Sequence, residues 1–184
     1  MRIVVIEPHP DDAFLSLGWT MEKVWPEFYS DLHLTLVTVY ANPKRGKEAQ
    51  AYAEAIGASS IVLGLAETNM GVEYVQAAIP ALDQALEPLN ADMLVFPLGL
   101  QHPDHLRVRD AAPPGAYYYL DTPYQTKQKL QYDLYQRAEG KQVWSIVYPP
   151  KRKWRHYTIF KSQSLFFHYN SPEKLSNIPE IIVW

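Results

Sequence analysis

The sequence contains no cysteine. That absence excludes disulfide bridges, thiol nucleophiles and zinc–thiolate sites, so any bound metal must be held by His, Asp and Glu. A strong charge of one sign is also missing. Seventeen Lys and Arg stand against 20 Asp and Glu, for a formal net charge of -3. There is therefore no electrostatic case for nucleic acid or an acidic membrane surface as partner. No apolar run approaches membrane-spanning length. The first strand begins at residue 2 and leaves no room for a signal peptide, so a soluble, cytoplasmic protein with no membrane partner is the expectation. No Gly-x-Gly-x-x-Gly follows that strand, which weighs against dinucleotide binding. Linkers, low-complexity segments and repeats are absent too, apart from one echoed motif. At 184 residues, 47% of them hydrophobic, a single well-cored domain spanning 1–184 is expected. The sequence leaves open whether it forms a homo-oligomer.

What is present alternates regularly. Arg2–Ile6 is an almost wholly apolar run, as expected of a strand buried on both faces of a parallel sheet. Asp12 to about Tyr29 reads as a helix with a broad apolar face. Leu32–Tyr40 reads as a strand, Lys44 to about Ile56 as a helix stopped by Gly57, and Ser60–Leu63 as a short strand. Val72 to about Leu89 is a helix interrupted or bent near Pro80, Asp92–Phe96 a fourth strand, and Pro103 to about Ala112 a helix ended by Pro113-Pro114-Gly115. Later elements are weaker: strands at Ala116–Leu120, Val143–Val147 and Tyr157–Phe160, and a helix at Tyr124–Arg137. The final stretch, Ser162–Trp184, reads as irregular and aromatic-rich. The fold class is therefore α/β: a Rossmann-like, three-layer αβα arrangement with a mostly parallel sheet. In the common order 3-2-1-4, strands one and four are neighbours, and their carboxyl ends open the ligand crevice.

Both of those ends carry chemistry. Glu7-Pro8-His9-Pro10-Asp11-Asp12 follows the first strand, and Gln101-His102-Pro103-Asp104-His105 follows the fourth. Topology predicts that the two clusters meet. Catalytic zinc usually has three protein ligands and an open position for water, and His9, Asp12 and His105 supply the right number and type. Asp11, beside a ligand in the chain, is placed to take a proton from an attacking water. His102 could stabilise an oxyanion or protonate a leaving group, with Asp104 orienting it and holding it protonated.

His9-Pro10-Asp11-Asp12 and His102-Pro103-Asp104-His105 resemble the paired signatures of the PIG-L/LmbE-like N-deacetylases. Lys44-Arg45-Gly46-Lys47-Glu48-Ala49, followed by Ile56-Gly57, resembles that family's Arg-x-x-Glu helix. Tyr118-Tyr119-Leu120-Asp121-Thr122-Pro123-Tyr124 resembles a later segment near its active-site rim. The ordered set covers roughly residues 2 to 124. The resemblance implies a zinc-dependent hydrolase that removes acetyl groups from N-acetylglucosamine-type amino sugars. It implies metal on His9, Asp12 and His105, Asp11 as general base, His102 as the oxyanion-side acid and Asp104 as its partner. Arg45 is a candidate substrate contact, with pairing to Glu48 on its own helix as the alternative. The chain departs from the family at Ala13, where Glu often follows the Asp pair, at Leu17-Gly18-Trp19, where Gly-Gly is usual, and in the short segment before Pro113.

Plainer readings stand beside these. A lone His-Pro-Asp-Asp is often just a polar turn capping a helix. His33, His156 and His168 read as surface or hydrogen-bonded core histidines. Tyr117, Tyr118, Tyr119, Trp144, Trp154, Phe166 and Phe167 read first as core or interface and second as sugar-stacking rings. Lys151-Arg152-Lys153 reads as a solvated turn. Two other functions fit parts of the pattern. One is a two-histidine, one-carboxylate iron enzyme, since Fe(II) suits such donors. The other is a sugar-binding relative that no longer turns over.

Overall fold

The computed structural model describes residues 1–66, 78–99, 102–121, 142–146, 156, 158–163 and 180–184. Seven strands form one sheet in the order β3-β2-β1-β4-β5-β7-β6. The strands are β1 (Arg2–Glu7), β2 (His33–Tyr40), β3 (Ser59–Leu65), β4 (Met93–Pro97), β5 (Tyr117–Tyr119), β6 (Val143–Ile146) and β7 (Glu180–Val183). The first five pair in parallel, with β1 between β2 and β4, as the sequence predicts. β7 then runs antiparallel to both β5 and β6.

β1 is apolar throughout because both of its faces are covered. Ile3 and Val5 enter one core with Phe14, Leu17, Met21, Tyr52 and Phe160. Val4 and Ile6 enter the other with Val37, Val39, Leu82, Phe96 and Val108. Successive side chains of a strand point to opposite faces, so this partition makes three layers. On the first face lie α1 (Asp12–Trp19) and α3 (Pro43–Ala55); on the second lie α4 (Ala78–Leu86) and α5 (Pro103–Asp110).

The helical run expected from Asp12 to Tyr29 is present but not uniform. After α1 it widens into a π-helical turn at Thr20–Val24 and resumes as α2 (Trp25–Phe28). At the widening, the Glu180 carboxylate of β7 accepts from the amides of Trp19 and Thr20, at 2.9 and 2.7 Å, and from the Thr20 hydroxyl. A side chain inserted into the i→i−4 ladder is a recognised cause of such a break.

Two sequence readings are corrected. β7 lies in the stretch read as irregular. Thr158 and Ile159 form a 3₁₀ turn rather than part of a strand, because Phe160 is drawn into the first core against Phe14. The Tyr124–Arg137 helix and the start of the Val72–Leu89 helix fall outside the described residues. Among the described residues no helix is long and apolar enough to cross a membrane.

Candidate metal centre

β1 and β4 lie side by side and parallel, so the loops leaving their carboxyl ends open into one crevice. The β4 loop turns through Gly99 at φ +69°, where a Cβ would meet the His105 carbonyl oxygen at 3.0 Å and the Leu106 Cα at 3.1 Å. Only glycine permits both the turn and the approach that folds α5 back. His102 caps α5, its Nδ1 accepting from the Asp104 amide at 3.3 Å, with Pro103 at the first helical position.

The two clusters meet. The rings of His9, His102 and His105 form a triangle with centroid separations of 5.1, 5.3 and 5.4 Å. Asp12 Oδ2 accepts from the His9 amide at 2.8 Å and lies 3.3 Å from His9 Nδ1 and 3.2 Å from His105 Nε2. His9, Asp12 and His105 are all buried, and one ligand atom from each lies within 4.8 Å of the others. His9, His102 and Asp104 meet the same distance limit, so His9 belongs to both sets.

Asp104 is fully buried and sits 3.0 Å from His9 Nε2, against 3.8 Å from His102 Nδ1. Its nearer imidazole is thus the one on β1's loop, not the one it was expected to serve. Its other oxygen lies 3.6 Å from Arg107. Asp11 is buried against the Arg45 guanidinium at 2.8 Å. Arg45 reaches it from the first turn of α3, where Asn42 accepts from the amides of Lys44 and Arg45. Glu48, the alternative partner of Arg45, holds the Ser162 amide and hydroxyl.

Two carboxylates escaped assignment in the sequence. Asp121, just past β5, is fully buried with Oδ1 3.1 Å from His105 Nδ1. The rim segment quoted above contains it, but nothing local singles it out. Glu7 ends β1, accepting from the Thr38 hydroxyl at 2.7 Å and the Ala13 amide at 3.1 Å. The available signal was an acid closing an otherwise apolar strand. Glu7 braces the loop that carries His9 and Asp12.

Such crowding of acids moves their protons. Burial pushes Glu7 up to about 8 against the bonds from Thr38 and Ala13. Burial and the Asp12 charge raise Asp11 despite Arg45. Asp12 is held below the usual carboxylate range: burial opposes this, but His105 and His9 outweigh it. Burial also resists charge on His9, yet Asp104 and Asp12 lift it to about 9. His105 is raised well above its ordinary value in the same way by Asp12 and Asp121. His102 goes the other way, lowered by burial and by the charges on His9 and His105. A nitrogen–nitrogen–oxygen donor set without sulfur suits zinc or ferrous iron. The residues fit a metal of that kind.

The histidines read as bland behave so where they are described. His33 is exposed, and His156 pairs with Glu22 at 3.4 Å; His168, Trp154, Phe166, Phe167 and the Lys151 run lie outside the described residues. Tyr117 and Trp144 line an apolar cleft of about 380 Å³ with Met1 and Met93, at the amino ends of the strands and away from the clusters.

This architecture is a three-layer α/β fold built on a mostly parallel sheet. No family model and no curated protein matches the sequence. Solved structures do match. The antimicrobial A40926 pseudoaglycone deacetylase shares 19% identity at a TM-score of 0.69, over 94% of this chain and 86% of its own. A triple mutant of a deacetylase from the teicoplanin biosynthetic pathway shares 16% at 0.71, over 100% and 97%. GalB, the 4-carboxy-2-hydroxymuconate hydratase from Pseudomonas putida KT2440, shares 12% at 0.60, over 91% and 82%. Identities this low establish the fold alone, and a shared fold does not fix the reaction.

Proposed function

We propose that this chain is a metal-dependent amidohydrolase that removes the acetyl group from an N-acetylated amino sugar or its conjugate. The observation that carries the reading is the buried convergence of His9, Asp12 and His105, with a second carboxylate, Asp11, next in the chain to a ligand. Two of the fold's solved examples are deacetylases, which supports the choice of reaction. Zinc is the metal we assign, with ferrous iron as the competitor.

Zinc on these three residues would polarise the acetyl carbonyl and acidify a water beside it. The rest falls to the chain. Asp11 takes the proton of the attacking water, and its raised pKa keeps it closer to neutral, where a general base works best. Arg45 fixes that carboxylate in place. His102 Nδ1 accepts the Asp104 amide hydrogen, so a neutral His102 carries its proton on Nε2. We therefore assign His102 as an N–H donor to the tetrahedral oxyanion and the departing amine, rather than as an imidazolium held protonated by Asp104.

The test is amine and acetate release from a panel of N-acetylglucosamine, its aryl glycosides and teicoplanin-type conjugates. Activity should be lost with chelator, restored by zinc and lowered about 10²–10⁴-fold in Asp11→Asn, the usual contribution of a general base. A zinc-loaded protein that deacetylates no member of the panel overturns the catalytic claim, and binding without release would favour the sugar-binding reading. Because a hydratase shares the fold, 4-carboxy-2-hydroxymuconate belongs on the panel as well.

A further inference from the structure

We propose that Asp121 is a positioning residue for His105: it accepts a hydrogen bond from Nδ1–H, holds the ring in place and turns Nε2 toward the metal. The inference rests on the metal reading above and adds to it the group that sets how tightly the ion is held.

The argument is geometric. His105 presents Nε2 to Asp12 at 3.2 Å and Nδ1 to Asp121 at 3.1 Å, on opposite edges of one ring. His9 is built the same way with its nitrogens exchanged, Nδ1 toward Asp12 at 3.3 Å and Nε2 toward Asp104 at 3.0 Å. Asp12 thus lies between two imidazoles, and each imidazole has a buried carboxylate behind it. Carboxylate–imidazole–metal chains of this form orient the ring and raise its basicity.

Asp121 is well placed to hold a ring still. The Leu98 amide donates to the Tyr119 carbonyl at 2.8 Å, and the Leu120 amide to the Ile181 carbonyl at 3.0 Å. These bonds anchor the two residues before Asp121 between the β4 loop and β7. Its carboxylate is 1% exposed, so water does not compete for the imidazole hydrogen. A buried carboxylate is costly without a partner, and His105 is an immediate one.

Zinc affinity, measured by competition with a chromophoric chelator, tests the proposal without reference to turnover. Asp121→Asn is isosteric and keeps an acceptor, whereas Asp121→Ala keeps neither charge nor acceptor. Affinity should fall in the order Asp, Asn, Ala, with a total loss of about 10–100-fold. Nitrogen NMR of labelled histidine should show zinc on His105 Nε2 with an exchange-protected Nδ1–H in the wild-type zinc protein, and in Asp121→Ala an Nδ1–H that exchanges with solvent or zinc shared between the two ring nitrogens. If the alanine chain does not fold, the asparagine variant carries the test. Wild-type zinc affinity with an equally protected His105 Nδ1–H in a folded Asp121→Ala, or wild-type affinity in Asp121→Asn where the alanine chain does not fold, overturns the assignment. If the wild-type chain itself takes up no zinc, the metal reading has failed, which is a different result from wild-type and variant binding alike.

Discussion

Arg45 illustrates what single residues can and cannot disclose. Its sequence position suggested a substrate contact, whereas its guanidinium lies on the carboxylate of Asp11. The two roles make different predictions. Arg45 draws the Asp11 pKa down against burial and the Asp12 charge, so removing it must raise that pKa further. In Arg45→Ala the acid limb of the kcat/KM profile should move to higher pH, with the loss concentrated in kcat. A rise in KM with the limb unmoved would restore the substrate contact. His9, Asp11, Asp12, His102, Asp104 and His105 were legible because two short motifs carry them. Asp121 was not, because its meaning depends on a strand end arriving behind a histidine ring. The partner of Asp104 was likewise undetermined by its neighbours in the chain: His102 is two residues away, but the closer imbalance of charge is met by His9, 95 positions distant.

At the scale of elements, the alternation of strand and helix through α5 could be read from apolar runs, glycine stops and prolines. The π-helical turn could not, since its cause is a carboxylate from the far end of the chain. Glu180 and Thr20 are buried, and the Glu180 carboxylate bonds two helix amides and one hydroxyl. Replacing it by alanine leaves buried amides without that acceptor, at about 1–3 kcal/mol each. For a chain of this size the expected fall in Tm is roughly 5–15 °C, measurable by calorimetry, and larger than that of Glu87→Ala on the solvated 3₁₀ turn after α4. A Tm unchanged in Glu180→Ala would show that the contact is incidental to stability. β7 was missed for a related reason. Four residues carry little periodicity, and its strand state is supplied by pairing with β5 and β6.

The whole molecule should feel its buried charges as a pH dependence. In the metal-free protein Glu7 is raised from 4.5 to about 8 and His9 from 6.5 to about 9. Both groups bind protons more tightly folded than unfolded, so stability is lost as pH rises. For Glu7 the loss spans about pH 4.5 to 8, and for His9 about 6.5 to 9. Asp12, with its lowered pKa, is ionised in both states across that range and does not offset the trend. Tm of the chelator-treated protein should therefore decline from pH 6 to 9. Zinc should stabilise most at the alkaline end, where the imidazoles no longer hold protons against it. A metal-free Tm that climbs over this interval would contradict these environments. The parallel order β3-β2-β1-β4 was predictable from connection rules. The extension beyond it, with β5 parallel to β4 and β7 antiparallel to β5 and β6, was not, because those rules say little once strands become short and their connections long.

The placement of Glu180 has a consequence for biosynthesis. It grips the helix whose first residue is Asp12, yet it is translated among the last few residues described. A nascent chain with β7 still inside the ribosome would own His9, Asp12 and His105 but lack the clamp that steadies the helix under them. Secure chelation should then be a late event, coupled to the emergence and docking of β7.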